Sequence, residues 1–243
     1  MATFVAVHGA WCGGWVWQQL ATAVEQKGHT FVAPDLPHPS RSNQPSFEQP
    51  ITLSHYADAI GSLLDQFAEP VYLIGHSMGG AVISLVSEQR PEKVAGLIYI
   101  TAMLLRDGQC LFDDQEPKEE KQEKSVKLFE ATDDKQFFKV PSDDAIKQLF
   151  LGASKEIIEQ AKQKLIPQPI APFAEKITLT EQRHGQIPKT YIHCLKDQIV
   201  SSTTQQYMIS KSNCTQVFEL EASHMAPSTH PDEIAEILSS LVT

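Results

Sequence analysis

The sequence predicts a doubly wound α/β fold, in which a mainly parallel sheet of about six strands is flanked by helices. Two observations predict it. Six short runs rich in Val, Ile, Phe and Tyr are spread along the 243 residues, each nearly continuous in apolar character, as suits strands covered on both faces. Between most of them lie stretches with apolar residues at helical spacing, so strand and helix alternate.

The first run, Phe4 to Val7, is followed by Trp15 to Lys27, where Trp17, Leu20, Ala21 and Val24 recur at helical spacing before Gly28. Glycine readily takes the left-handed conformation past a helix end. Thr30 to Ala33 is the second strand. The next helix spans Ser54 to Phe67, with Tyr56, Ile60, Leu63, Leu64 and Phe67 in register and Pro70 beyond it. Val71 to Ile74 is the third strand, Gly80 to Gln89 a helix closed by Pro91, and Gly96 to Ile100 the fourth strand. Thr190 to Leu195 and Gln216 to Leu220 complete the set. Pro231 then opens a last helix through Ile234, Ile237, Leu238 and Leu241.

The alternation breaks between Ala102 and Thr190, where far more residues lie than one crossover requires. The stretch Asp113 to Lys124 is charged and turn-prone and reads as a solvated loop or helix face. Helix-compatible segments follow at Ser125 to Glu130, Ser142 to Phe150 and Lys155 to Lys164, then Pro167, Pro169 and Pro172. We read residues 105–185 as a helical cap inserted into a core made of residues 1–104 and 186–243. A cap there would shape and dry a pocket at the C-terminal edge of the sheet, where open α/β sheets place their ligands.

Composition narrows the function. A formal charge of −10 repels phosphate backbones and anionic membrane surfaces, so neither nucleic acid nor membrane is an expected partner. The N-terminal residues lack a basic region and a complete signal-peptide core, and no run approaches the length of a membrane span. A cytoplasmic location is the expectation. Cys12, Cys110, Cys194 and Cys214 are scattered without a paired motif and read as free thiols. A homodimer is left open.

The chemistry centres on Gly75-His76-Ser77-Met78-Gly79, a G-x-S-x-G motif directly after a strand and directly before a helix. The turn is so sharp that Gly75 and Gly79 must lack side chains. It lifts the Ser77 hydroxyl above the sheet edge and aims the positive end of the following helix at the reacting carbonyl. A serine hydroxyl is a weak nucleophile and needs a base, which in turn needs an orienting acid. In chain order Ser, acid, His, the candidates are Asp197, just after the fifth strand, and His224, just after the sixth. His184, His193 and His230 fit less well by position, and Glu219 and Glu221 lie too close to His224. The backbone N–H groups of Met78 and Ala10 suit an oxyanion hole, with Gly9 permitting close approach and His8 a structural loop residue.

At these residues the chain resembles the esterase branch that contains plant methylesterases, hydroxynitrile lyases and bacterial carboxylesterases of the pyrethroid-hydrolase kind. The matching stretches are His8-Gly9-Ala10-Trp11-Cys12-Gly13-Gly14-Trp15, Gly28-His29 with Ala33-Pro34-Asp35-Leu36, Gly75 to Gly80, Ile187 to Ile192 with Asp197, and Ser223-His224-Met225. The resemblance implies an α/β-hydrolase fold with a cap, a triad of Ser77, Asp197 and His224, and neither cofactor nor metal. Plant lyases of this group carry threonine where Gly9 stands and lysine where Met225 stands, so hydrolysis is favoured over cyanohydrin cleavage. The expected partner is a small-molecule ester. The same machinery serves a thioesterase or lactonase, and a non-catalytic receptor is the reading from another class. Phe, Leu and Ile in the cap favour an apolar acyl or alcohol group.

Overall fold

A strand covered on both faces sends successive side chains into two separate cores. The first strand does so: Val5 and Val7 join one apolar cluster, Phe4 and Ala6 the other. A computed structural model describes residues 1–40, 50–113 and 126–242. Strands β1 (Thr3–Val7), β2 (Thr30–Val32), β3 (Val71–His76) and β4 (Val94–Ile100) all match predicted runs. Beyond the insertion come β8 (Lys189–Cys194) and β9 (Gln216–Leu220), numbered after three short strands of the cap. The six form one sheet in the order β2-β1-β3-β4-β8-β9, every neighbouring pair parallel.

The crossover helices cover both faces. α1 (Gln18–Gln26), preceded by a 3-10 turn over Gly14–Trp17, packs with α9 (Pro231–Ser240) on the face that receives Phe4, Ala6 and Ile98. α2 (Leu53–Leu64) and α3 (Gly79–Gln89) cover the other, over Val5, Leu73 and Tyr99. Gly28 stands at φ +82 after α1, the left-handed stop expected there. α7 (Ser202–Ser210) joins β8 to β9, and α8 (Ala226–Thr229) follows β9. α7 carries no helical periodicity that the sequence could show. Its residues STTQQYMIS are mostly polar, with Tyr207, Met208 and Ile209 adjacent and not spaced around one face; the Ser201 side chain, accepting from the Thr204 N–H, was its legible start.

The cap elements lie between β4 and β8. α4 (Asp143–Leu149) and α5 (Lys155–Lys164) fall where predicted, each N-capped by a serine, Ser142 and Ser154. Beside its helices the cap also holds an antiparallel sheet of β5 (Glu130–Ala131), β6 (Phe137–Lys139) and β7 (Gln168–Pro169), with α6 (Ala171–Ala174) after it. Glu130, assigned to a helix-compatible segment, is thus in a strand. Strands of two or three residues are too short to show alternation, and a proline sits in one of them. The charged run lies outside the described residues from position 114 through 124. No helix among the described residues is long and apolar enough to cross a membrane.

Candidate active site

The strand order reverses around β1 and β3, and at such a switch point the loops leaving the C-terminal strand ends open a crevice. Gly9, Ala10, Trp11 and Cys12 after β1, His76 and Ser77 after β3, and His224 and Met225 after β9 line one narrow cleft. Leu149, Phe150 and Leu165 of the cap complete its walls.

Ser77 stands at φ +54, the left-handed region that non-glycine residues occupy at a cost and that recurs at functional sites. Its surroundings leave room for nothing larger. A Cβ on Gly75 would lie 2.8 Å from backbone atoms of Gly79 and Gly80, and one on Gly79 would lie 2.3 Å from the Val7 carbonyl oxygen. Both glycines are therefore what the turn needs. α3 begins at Gly79, directly after Met78, so its positive end points at the serine. The N–H groups of Ala10 and Met78 have no acceptor among the described residues.

His8 accounts for the direction of the first of these. Its Nδ1–H donates to the Gly9 carbonyl at 2.8 Å, and its Nε2 accepts from the Leu36 N–H at 3.1 Å. In a trans peptide the N–H points opposite to the C=O, so fixing the Gly9 oxygen fixes the Ala10 N–H. Gly9 is tightly placed too, since a Cβ on it would lie 2.8 Å from Ser77 Cβ.

The fold brings Asp197 and His224 together. His224 Nδ1 donates to Asp197 Oδ2 at 2.7 Å, and both residues are buried. Thr101, the first residue after β4, donates its hydroxyl to the same carboxylate oxygen. Oδ1 accepts from the N–H groups of Ile199 at 2.6 Å and Val200 at 3.2 Å. Burial alone would raise this carboxyl, but the charge and hydrogen bond of His224, with the bonds from Thr101 and Ile199, hold it below the ordinary aspartate value.

Two neighbours were not read from the sequence. Thr101 is one, held at φ +40; its signal was its place at a strand's C-terminal end beside the acid's loop. His76 is the other, the variable residue inside the motif. Its Nε2–H donates to the backbone carbonyl of His224 at 2.8 Å, and the two rings lie 4.7 Å apart. Its Nδ1 is buried without a hydrogen-bond partner among the described residues. Burial, and then the neighbouring His224, push its pKa down to about 3, so it stays neutral.

The rivals lie elsewhere. His184 Nδ1 pairs with Ser87, His193 with Ser202 and His230 with Thr229, and none of the three lines the cleft. Glu221 pairs with Lys196 at 2.9 Å. Cys12 faces the cleft, but burial pushes its thiol up to about 12, far from a thiolate nucleophile. Among the described residues no three His, Cys, Asp or Glu side chains gather as a metal site.

The model of the alpha/beta hydrolase family matches residues 4–237, nearly the whole chain. The chain belongs to the alpha/beta hydrolase family. Among its curated relatives, putative methylesterase 14, chloroplastic, of Arabidopsis thaliana is 29% identical to this alpha/beta hydrolase, over 97% of the chain and 70% of the relative. Putative methylesterase 13, chloroplastic, of the same plant is also 29% identical, and there the match spans only 55% of the relative's length. Polyneuridine aldehyde esterase of Rauvolfia serpentina is 26% identical over 97% of this chain and 93% of the relative. Among solved structures, a pyrethroid hydrolase, PytH, superposes with a TM-score of 0.88 at 24% identity, covering 100% of this chain and 97% of that one. At that identity the likeness speaks for the fold.

Proposed function

We propose that this alpha/beta hydrolase cleaves a carboxylic ester of a small, largely apolar molecule through an acyl-enzyme on Ser77. The observation that carries the reading is His224, hydrogen-bonded to buried Asp197 at 2.7 Å and lining the same cleft as a serine held at φ +54. Ser77 Oγ attacks the ester carbonyl while His224 takes its proton; Asp197 holds the imidazole in the Nδ1–H tautomer and stabilises the imidazolium. The oxyanion is met by the N–H groups of Ala10 and Met78. Collapse expels the alcohol, which takes the proton from His224, and a water activated by the same imidazole then releases the acid.

The relatives named as esterases support an ester as substrate. Trp11, Leu149, Phe150, Leu165 and Met225 give the cleft apolar walls, which supports an apolar group beside the ester. A side chain at position 9 would collide with Ser77, and buried Met225 supplies no cation, so the features expected of cyanohydrin cleavage are missing.

Ser77→Ala is expected to lower kcat on a short-chain aryl ester by about 10⁴-fold or more and to abolish fluorophosphonate labelling of the protein. Substantial hydrolysis by the variant, or a wild type that does not label, would remove Ser77 from the mechanism.

A further inference from the structure

The loop after β1 carries Ala10, whose N–H the reading above places in the oxyanion hole. On the core side, His8 fixes the Gly9–Ala10 peptide through the Gly9 carbonyl. The other side of the loop is Trp11, at φ +63, a strained conformation for a bulky residue. Such strain persists only where the surroundings dictate it.

What dictates it here is the cap. The Trp11 N–H donates to Gln168 Oε1 at 3.4 Å, its carbonyl accepts from the Ile166 N–H at 3.0 Å, and its indole Nε1–H donates to the Phe138 carbonyl at 2.9 Å. All three polar groups of one core residue therefore end on the cap. The ring also packs against Phe129, 5.7 Å between centroids. The acceptor on the cap side is itself held in place: Gln168 is buried, and its amide donates to the Tyr56 hydroxyl at 3.0 Å and the Pro169 carbonyl at 3.2 Å. Phe138 and Gln168 are paired with each other as neighbours in the β6–β7 ladder. The antiparallel sheet thus presents two fixed acceptors to a single residue next to the oxyanion loop.

We propose that Trp11 is a positioning residue through which the cap sheet holds the Ala10 N–H in place, so that the seating of the cap and transition-state stabilisation at Ser77 are coupled. The coupling rests on the acyl-enzyme reading above. It gives the cap a second task beside shaping the pocket: the sheet is the outer half of a clamp whose inner half is His8.

Trp11→Phe keeps the ring and removes the indole donor. Its kcat is expected to fall about tenfold, less than the 10²- to 10³-fold loss of a whole oxyanion donor, with KM within about twofold of wild type. A readout specific to the oxyanion is the affinity for a trifluoromethyl ketone, which forms a tetrahedral adduct on the serine; it should fall by the same factor as kcat. Gln168→Leu, which removes the acceptor of the Trp11 N–H, should move both quantities in the same direction and stands in if Trp11→Phe does not fold. Ser142→Ala, which removes the N-cap of α4 but leaves the β6–β7 sheet and its bonds to Trp11 in place, should leave both unchanged. The coupling is overturned if Trp11→Phe and Gln168→Leu keep wild-type affinity for the ketone, or if Ser142→Ala loses as much as they do. A wild type that neither hydrolyses the ester nor binds the ketone would instead overturn the acyl-enzyme reading.

Discussion

At the scale of single residues, the site is decided by who donates to Asp197. Its two oxygens receive four donors, and that full set lets a buried carboxylate stay ionised beside His224. Thr101 is the donor whose removal leaves the rest of the loop intact. Thr101→Ala is expected to lower kcat/KM by about tenfold, as fits the loss of one hydrogen bond to a charged group, and Thr101→Ser to restore most of it. The pH dependence has a definite sign. Asp197 is depressed in the folded protein, so its contribution to stability is present above the ordinary aspartate pKa and lost as pH falls through the folded value. Without the Thr101 hydroxyl that folded value rises, and the acid unfolding midpoint, followed by circular dichroism, should move to higher pH. A Thr101→Ala protein with wild-type kcat/KM and an unmoved acid midpoint would make the hydroxyl a bystander.

At the scale of elements, the strand-to-helix turn transmits packing into chemistry, since α3 can aim its N-terminus at the site only if it lies directly on β1. Gly79 sets that distance. Gly79→Ala would press a methyl to 2.3 Å from the Val7 carbonyl oxygen and 3.0 Å from that of His8, backbone atoms that can yield only by parting helix from strand. Denaturant unfolding should show a loss of about 3 kcal/mol and a parallel loss of activity. Gly28→Ala, at φ +82 with no atom within 4 Å of the new methyl, should cost about 1 kcal/mol and leave activity alone; equal losses for the two would refute the packing argument. The same contrast explains what could be read from the sequence. Ser77, its glycines, Asp197 and His224 were legible because a sharp turn and a fixed strand order constrain residue type at known places in the chain. Thr101 and His76 were not, because their partners lie 96 and 148 residues away and no local pattern ties them to those partners. The cap sheet escaped for a different reason: β6 and β7 are defined by their pairing and by Trp11, not by any periodicity of their own.

For the whole molecule, two pH effects oppose each other below neutrality. The formal charge of −10 at pH 7 shrinks as acid is added, which relieves self-repulsion and favours the folded state. Against it stand histidines buried in neutral form. His76 is pushed down to about 3 by burial and then by His224; His184, beside Ser87 and Glu88, is pushed down to about 4 by burial and then by Lys189. The folded state therefore holds these rings unprotonated between their folded values and the ordinary value near 6.5, while the unfolded chain takes up the protons. Stability should accordingly be fully present above about 6.5 and fall as pH drops through that window, by about 2 kcal/mol per histidine at pH 5. The repulsion term is spread over surface charges and screened within about 8 Å at physiological salt, so the histidines should win. Urea unfolding at 0.15 M salt is expected to give a lower midpoint at pH 5 than at pH 7, and His184→Asn, which lies outside the cleft, should flatten that dependence by about one histidine's share. A midpoint that stays level or rises toward pH 5, or a slope that His184→Asn leaves untouched, would show that the surface charge governs instead.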